Sequence, residues 1–264
     1  MALNDADFKD LKEYLDREAF RINNLLFIDN DPVQFPRRFE RLQDIEIVAL
    51  LSASIAWGNR KMICNNCEKM LRIMENNPYD YVMEGEYEYL PDEMNIHRTF
   101  FARDFKYMLR GIKNIYSKFG SLNDFANHHA VGSHETPSWR LVELMQQKFC
   151  EANGGLKDSH CLPTNLNNTA LKRINMALRW LVRNDGIVDL GVWNAIKPKN
   201  LFVPLDIHVG DTARGLGMIK RKANDRKTVL ELTEVLRKMR PEDPVLYDYA
   251  LFGIGIGEKA LVAE

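Results

Sequence analysis

Two side chains define the chemistry that this sequence could perform. Asp206 stands in Phe202-Val-Pro-Leu-Asp206-Ile-His208-Val-Gly-Asp211-Thr-Ala-Arg214-Gly-Leu216-Gly217, where an apolar run and Pro204 bring the backbone to a turn. Ile207, Ala213 and Leu216 then supply one apolar face before Gly215 and Gly217, a pattern that predicts a short helix with Asp206 as its N-cap. A carboxylate there lies at the positive end of the helix dipole and keeps its charge at neutral pH. Lys172 comes thirty-four residues earlier, in the first turn of a helix predicted to start at Asn168-Thr169 and to bury Leu171, Ile174, Leu178, Leu181 and Val182. The dipole disfavours a cation in that turn, and a lysine among other cations gives up its proton more readily and becomes a nucleophilic amine. Local pattern alone leaves two plainer readings open: Asp206 as a cap and nothing more, and Lys172 as a solvated surface lysine.

Other clusters offer weaker chemistry. The four cysteines are Cys64, Cys67, Cys150 and Cys161, and the Cys64-x-x-Cys67 pair lies inside a helical stretch with no second pair at metal-site spacing. His128, His129 and His134 sit close together without an acidic partner at helical spacing. A metal-dependent hydrolase built on His128, His129, His208 and Asp211 is one alternative, but the expectation is no metal, no iron-sulfur cluster and no other cofactor.

Nearly every element that would carry these groups reads as helix. The first, over residues 5 to 27, ends at Asp29-Asn-Asp31-Pro32. An apolar run from Ile45 to Trp57 stops at Gly58, and a new helix begins at Asn59. Further helices are predicted over Thr99 to Phe119, whose aromatics read as core packing, over Trp139 to Cys150, from Asp225, and from Pro244 to Phe252. A polar loop from Asn153 to Asn168 separates the middle helices, and almost nothing alternates like a strand. The fold class is all-α, with two lobes and a cleft between them: residues 41 to 205 form a central lobe, and residues 1 to 40 join 206 to 264 in the second.

With 264 residues, 45% hydrophobic and 28% charged, the chain can bury a substantial core. No apolar run approaches membrane-spanning length and the start is polar, so a cytoplasmic protein with no membrane contact is expected. The net charge of -1 gives no overall pull toward a polyanion. Charge is segregated, however: Glu75 to Asn95 carries seven acidic residues and no Lys or Arg, whereas Lys197 to Lys227 carries eight basic residues against Asp206, Asp211 and Asp225. The basic block contains Asp206.

The spacing around Asp206 resembles the catalytic-aspartate segment of the helix-hairpin-helix DNA glycosylases, which has His two residues after the Asp, then Val, Arg at eight and Leu-Gly at ten and eleven. Asp206, His208, Val209, Arg214, Leu216 and Gly217 match it. The fifth position departs from it, with Asp211 where the family usually has a basic residue. The Pro-Gly-rich hairpin of that family is also missing. The distance from Lys172 to Asp206 is similar to that in the archaeal 8-oxoguanine DNA glycosylase branch, whose lysine lies on a helix without the hairpin glycines. The chain as a whole also resembles a family of bacterial proteins of unknown function.

The glycosylase resemblance covers residues 45 to 70 and 165 to 220. It implies duplex DNA as partner and a damaged base, such as an oxidised purine, flipped from the stack. It implies Asp206 and Lys172 as catalytic residues, a base pocket from Trp57, Trp193 and His208, and DNA contacts from Asn59, Arg60, Arg214, Lys220, Arg221 and Lys222. A protein that binds DNA or RNA on the same fold without the chemistry is the alternative reading.

Overall fold

In the computed structural model, which describes residues 5 to 257, the regular structure of the chain is mostly helix, in agreement with the all-α expectation. In order it forms α1 (Asp5–Ile22), α2 (Leu25–Asp29), α3 (Leu42–Ser54), α4 (Arg60–Ile73), α5 (Pro78–Glu84), α6 (Ala102–Phe119), α7 (Leu122–His128), α8 (Pro137–Ala152), α9 (Lys172–Val182), α10 (Ile207–Gly215), α11 (Arg226–Met239) and α12 (Tyr247–Ile256). The strands among the described residues form a small antiparallel hairpin, Asn95–His97 with Phe100–Phe101, which turns the chain into α6.

α3 is the axis of the fold. Eleven of its thirteen residues are buried, so it shows no amphipathic stripe and must be covered on all sides. α9 packs along it, and Arg173 of α9 donates from Nη1 to the carbonyl of Ser54 at 2.8 Å. That contact places a cation on the free carbonyls at the end of α3. Inside α3 the buried Glu46 accepts hydrogen bonds from the Leu122 and Asn123 amides at 2.8 Å each and from Tyr116 Oη at 2.9 Å, tying α3 to α6 and α7.

The first helix meets the last, α12. α12 lies between α1 and α10, and two glycines allow the close approach. A Cβ on Gly253 would come within 2.7 Å of Ile22 Cγ1 in α1, and one on Gly255 within 3.0 Å of the His208 carbonyl in α10. Buried apolar side chains form one cluster running from Leu15 to Leu251, across both of the segments that the sequence suggested as separate lobes.

Several boundaries differ from expectation. α9 begins at Lys172, not at Asn168-Thr169, because Leu171 takes a left-handed conformation, φ +51°, that cannot continue a helix backward. The first helical stretch is split by a break at residues 23 and 24, where the Asn24 side chain caps α2. α6 starts at Ala102, since Thr99 belongs to the hairpin turn. α7, in the histidine-containing stretch after Gly120, was not anticipated. No helix among the described residues is long and apolar enough to cross a membrane.

Candidate functional site

α9 and α10 bring Lys172 and Asp206 to the wall of a single cleft of about 950 Å³. Asp206 is the N-cap of α10: its backbone is extended, its Oδ1 accepts from the Val209 amide at 3.0 Å, and its carbonyl accepts from Asn224 Nδ2 at 3.1 Å. Pro204 and Leu205, which precede it, also line the cleft, so the turn read from the sequence is what aims the carboxylate inward.

Lys172 is the first residue of α9, directly after the left-handed Leu171. That conformation costs a non-glycine residue on the order of 1 kcal/mol, and Leu171 is held in it by burial at 3% exposure. The lysine is half-buried, and its ammonium makes one polar contact, 3.5 Å from the sulfur of Met176. Loss of water lowers its pKa below the ordinary value, and the nearby carboxylates of Asp206, Asp248 and Asp31 oppose that fall. An amine that trades hydration for a thioether gives up its proton more readily than a surface lysine. A second cavity, about 310 Å³, adjoins at Lys172 and Arg173, which line both.

Behind the lysine lies a group the sequence reading missed. Asp248, 5% exposed, faces the cleft from α12 and forms an ion pair with Arg179 of α9. Burial raises its carboxyl to about 6, with Arg179 opposing the rise and Asp206 adding to it. Arg179 also reaches Asp189 at 3.3 Å, and Asp189 in turn binds Arg183 at 2.8 Å. Arg183 holds Asp185 at 2.6 Å and Asp243 at 2.9 Å. This buried network fixes α9 against α12 and the 183–189 loop, and so fixes the backbone that carries Lys172. A charged residue in the middle of the apolar run Val245 to Phe252 was its available signal, because carboxylates are rarely buried without a partner or a task.

The remaining site residues divide into three sets. Trp57 and His208 line the cleft; Arg173 lies over the Trp57 ring at 5.4 Å, and His208 is edge-on to Phe252 at 6.4 Å. Arg60 also lines the cleft, turned inward between Phe27 and Phe252, whereas Asn59 is an exposed N-cap accepting from the Met62 amide at 3.2 Å. Trp193 is not among the cleft residues: it is a core residue, 6% exposed, on a strand of loop held by Leu181 and Asn123. The long connection that carries it runs past Glu46 in the interior.

The basic residues after Asp206 are not equivalent. Arg214 donates to the carbonyls of Arg221 at 2.7 Å and Lys222 at 2.9 Å, to Asn224 Oδ1 and to Asp211 at 2.9 Å, so its guanidinium closes the loop behind α10 and does not face outward. Arg221 is bonded to Thr228 at 3.0 Å and Asp225 at 2.6 Å. Lys220 and Lys222 are exposed.

The histidines are not gathered into a metal site. His128 and His129 pack with Phe119 and with each other, apart from His208 in the cleft. Cys64 and Cys67 are thiols whose pKa burial pushes up to about 11 and about 12, one turn apart on α4. Among the described residues, Asp104, Asp158 and Cys161 have donor atoms close enough to share an ion. Their carboxylates are occupied by the protein's own amides, Phe101 on Asp104 at 2.7 Å and His160 on Asp158 at 2.7 Å.

A family model described as a protein of unknown function, DUF2400, matches residues 31–257. The chain belongs to the DUF2400 family. The matched span carries every charged group of the cleft, from Asp31 to Asp248; Phe27 alone among the lining residues precedes it. No curated protein and no solved structure matches the chain.

Proposed function

We propose that this DUF2400 chain is a DNA repair protein of the glycosylase and abasic-site lyase kind, acting on a damaged base turned out of duplex DNA into the cleft. The supporting observation is the pairing of Lys172 and Asp206 on one cavity wall, the first a desolvated amine and the second a carboxylate on a helix N-terminus. In this reaction the free amine of Lys172 attacks C1′ of the sugar. The base leaves with the electron pair of the glycosidic bond and takes up a proton; the amine sheds a proton, the C1′–O4′ bond opens with its pair to O4′, which is protonated, and C1′ becomes an iminium. The iminium acidifies the 2′ hydrogen, which leaves as a proton, and elimination expels the 3′ phosphate with its bonding pair. Asp206 stabilises the positive charge that builds on the sugar as the bond breaks. Extruding the base costs a few kcal/mol, which contacts to phosphates and stacking within the cleft must recover.

The test is incubation with duplexes carrying an abasic site or an oxidised, deaminated or alkylated base, with and without borohydride. Wild type forms a trapped adduct and Lys172→Gln forms none, because no amine remains. Trapping that survives Lys172→Gln assigns the wrong lysine, and a wild type that traps nothing and releases no base favours a nucleic-acid-binding protein without chemistry. The commitment of Arg214 and Arg221 to loop contacts is the observation on that second side, since it leaves Lys220 and Lys222 to meet phosphates.

A further inference from the structure

We infer that Arg60 and Asp31 form a reading wall for the lactam edge of the flipped base, the adjacent C=O and N–H of a ring bearing an oxo group. This rests on the glycosylase reading of the same cleft.

Arg60 is the first residue of α4, after a turn at Gly58 whose φ is +103° and where a Cβ would come within 2.8 Å of Arg98 Nη1. That turn sends the side chain inward. Its guanidinium lies 5.6 Å from the Phe27 ring and 5.1 Å from the Phe252 ring. Nη2 is buried and has no hydrogen-bond partner; Asp31 Oδ2 stands 3.7 Å away, an ion-pair distance and too long for a hydrogen bond. Asp31 is 8% exposed, with Oδ1 taken by the Val33 amide at 3.0 Å. Both residues line the cleft, and a donor without a hydrogen-bond partner, Arg60 Nη2, thus stands beside a carboxylate acceptor. A guanidinium N–H stripped of water without an acceptor is costly, and a ligand carbonyl relieves that cost.

The character of the ligand follows from the same groups. Asp31 balances the charge of Arg60, so the pair favours a neutral acceptor over a phosphate. Phe27 and Phe252 favour a planar ring. A planar, neutral ring with an acceptor beside a donor is a lactam: Arg60 donates to its oxygen and Asp31 accepts from its N–H. Adenine and cytosine present the reverse, an amino donor toward Arg60 and a bare ring nitrogen toward Asp31, and both contacts become repulsive. Guanine and thymine carry the lactam edge too, and pairing in the duplex protects them.

The experiment measures single-turnover base release from duplexes containing uracil, hypoxanthine or 8-oxoguanine, and from mismatched adenine and cytosine. Borohydride trapping on an abasic duplex, which has no base to read, runs in parallel. Wild type releases one or more of the three lactam bases and leaves the mismatched amino bases in place. Arg60→Met keeps the unbranched stem between the two phenylalanines and lowers release by at least ~30-fold, the worth of one hydrogen bond to a charged group, with abasic trapping within about twofold of wild type. Asp31→Asn, which can still cap Val33, lowers release likewise, and because it removes a carboxylate that opposes the fall of the Lys172 pKa its abasic trapping stays at or above that of wild type. Release unchanged in Arg60→Met, release and trapping lost together, or amino bases released as fast as lactams each overturn the inference. A wild type that traps abasic DNA yet releases none of the three lactam bases sinks this inference alone; one that traps no abasic DNA sinks the glycosylase reading with it.

Discussion

Replacing Asp206 by Asn separates the charge of this residue from its structural duty. The cap is a single hydrogen bond from the Val209 amide to Oδ1, and an Asn oxygen accepts it equally well. Asn and Asp are near-equal N-caps, so the stability cost is a few tenths of a kcal/mol and the melting temperature moves by only about a degree or two. The lost charge acts on three things. Base release loses the carboxylate opposite the developing sugar cation; removing one such preorganised group costs ~100-fold in rate, equivalent to ~2.7 kcal/mol. Lys172 loses the first of the carboxylates that oppose the fall in its pKa, so its amine is more fully deprotonated. Asp248 loses the negative neighbour that helps hold its carboxyl near 6, and moves back toward its ordinary value. Single-turnover base release should therefore fall about 100-fold, while trapping on a pre-formed abasic site keeps its rate or rises. Duplex affinity should be unchanged. The reasoning fails if release and trapping drop by the same factor, or if the variant melts many degrees lower, since either result would make Asp206 a structural residue.

Glu46 offers a test of the interior. Burial raises its carboxyl from 4.5 to about 7, so the native state binds the proton more tightly than the unfolded chain and stability falls as pH climbs from about 4.5 to about 7. Over that window the Glu46→Gln variant should gain ~3 kcal/mol on wild type, whatever fixed cost it carries from losing an acceptor; a difference that is flat from pH 4 to pH 8 in denaturant melts would refute it. In DNA binding, Lys220→Ala with Lys222→Ala should reduce the slope of log affinity against log salt by about 2, whereas Arg214→Met should lower the melting temperature and leave that slope alone. Gly253→Val should destabilise the fold by about 1–3 kcal/mol by forcing Ile22 of α1 off α12, seen as a lower midpoint in denaturant unfolding; an unchanged midpoint would show that this contact is not tight.

Local sequence was enough for most of the helices and for one half of the site. The helical rhythm of the chain, the turn at Pro204 and the Asp206 cap follow from interactions within a few residues, and short-range order of that kind does not depend on what packs above it. The helix at Lys172 was legible in the same way, but its start was not. Leu171 adopts a left-handed backbone because the core demands its side chain, and nothing in Asn168-Thr169 announces that. Whether Lys172 is a solvated cation or a recessed amine was likewise undecidable locally, since its environment comes from Asp31, Asp206 and Asp248 in segments far apart along the chain. Arg60 and Arg214 show the same division. The glycosylase resemblance implied DNA contacts from both, yet tertiary packing turned one into the cleft between Phe27 and Phe252 and tied the other to the carbonyls of its own loop. Trp193 went the other way, close to Asp206 in sequence and buried apart from the cleft in space. A residue type and its period specify which groups can do chemistry. Their hydration and charge neighbours are set by long-range contacts, so only the folded chain could decide which of them meet.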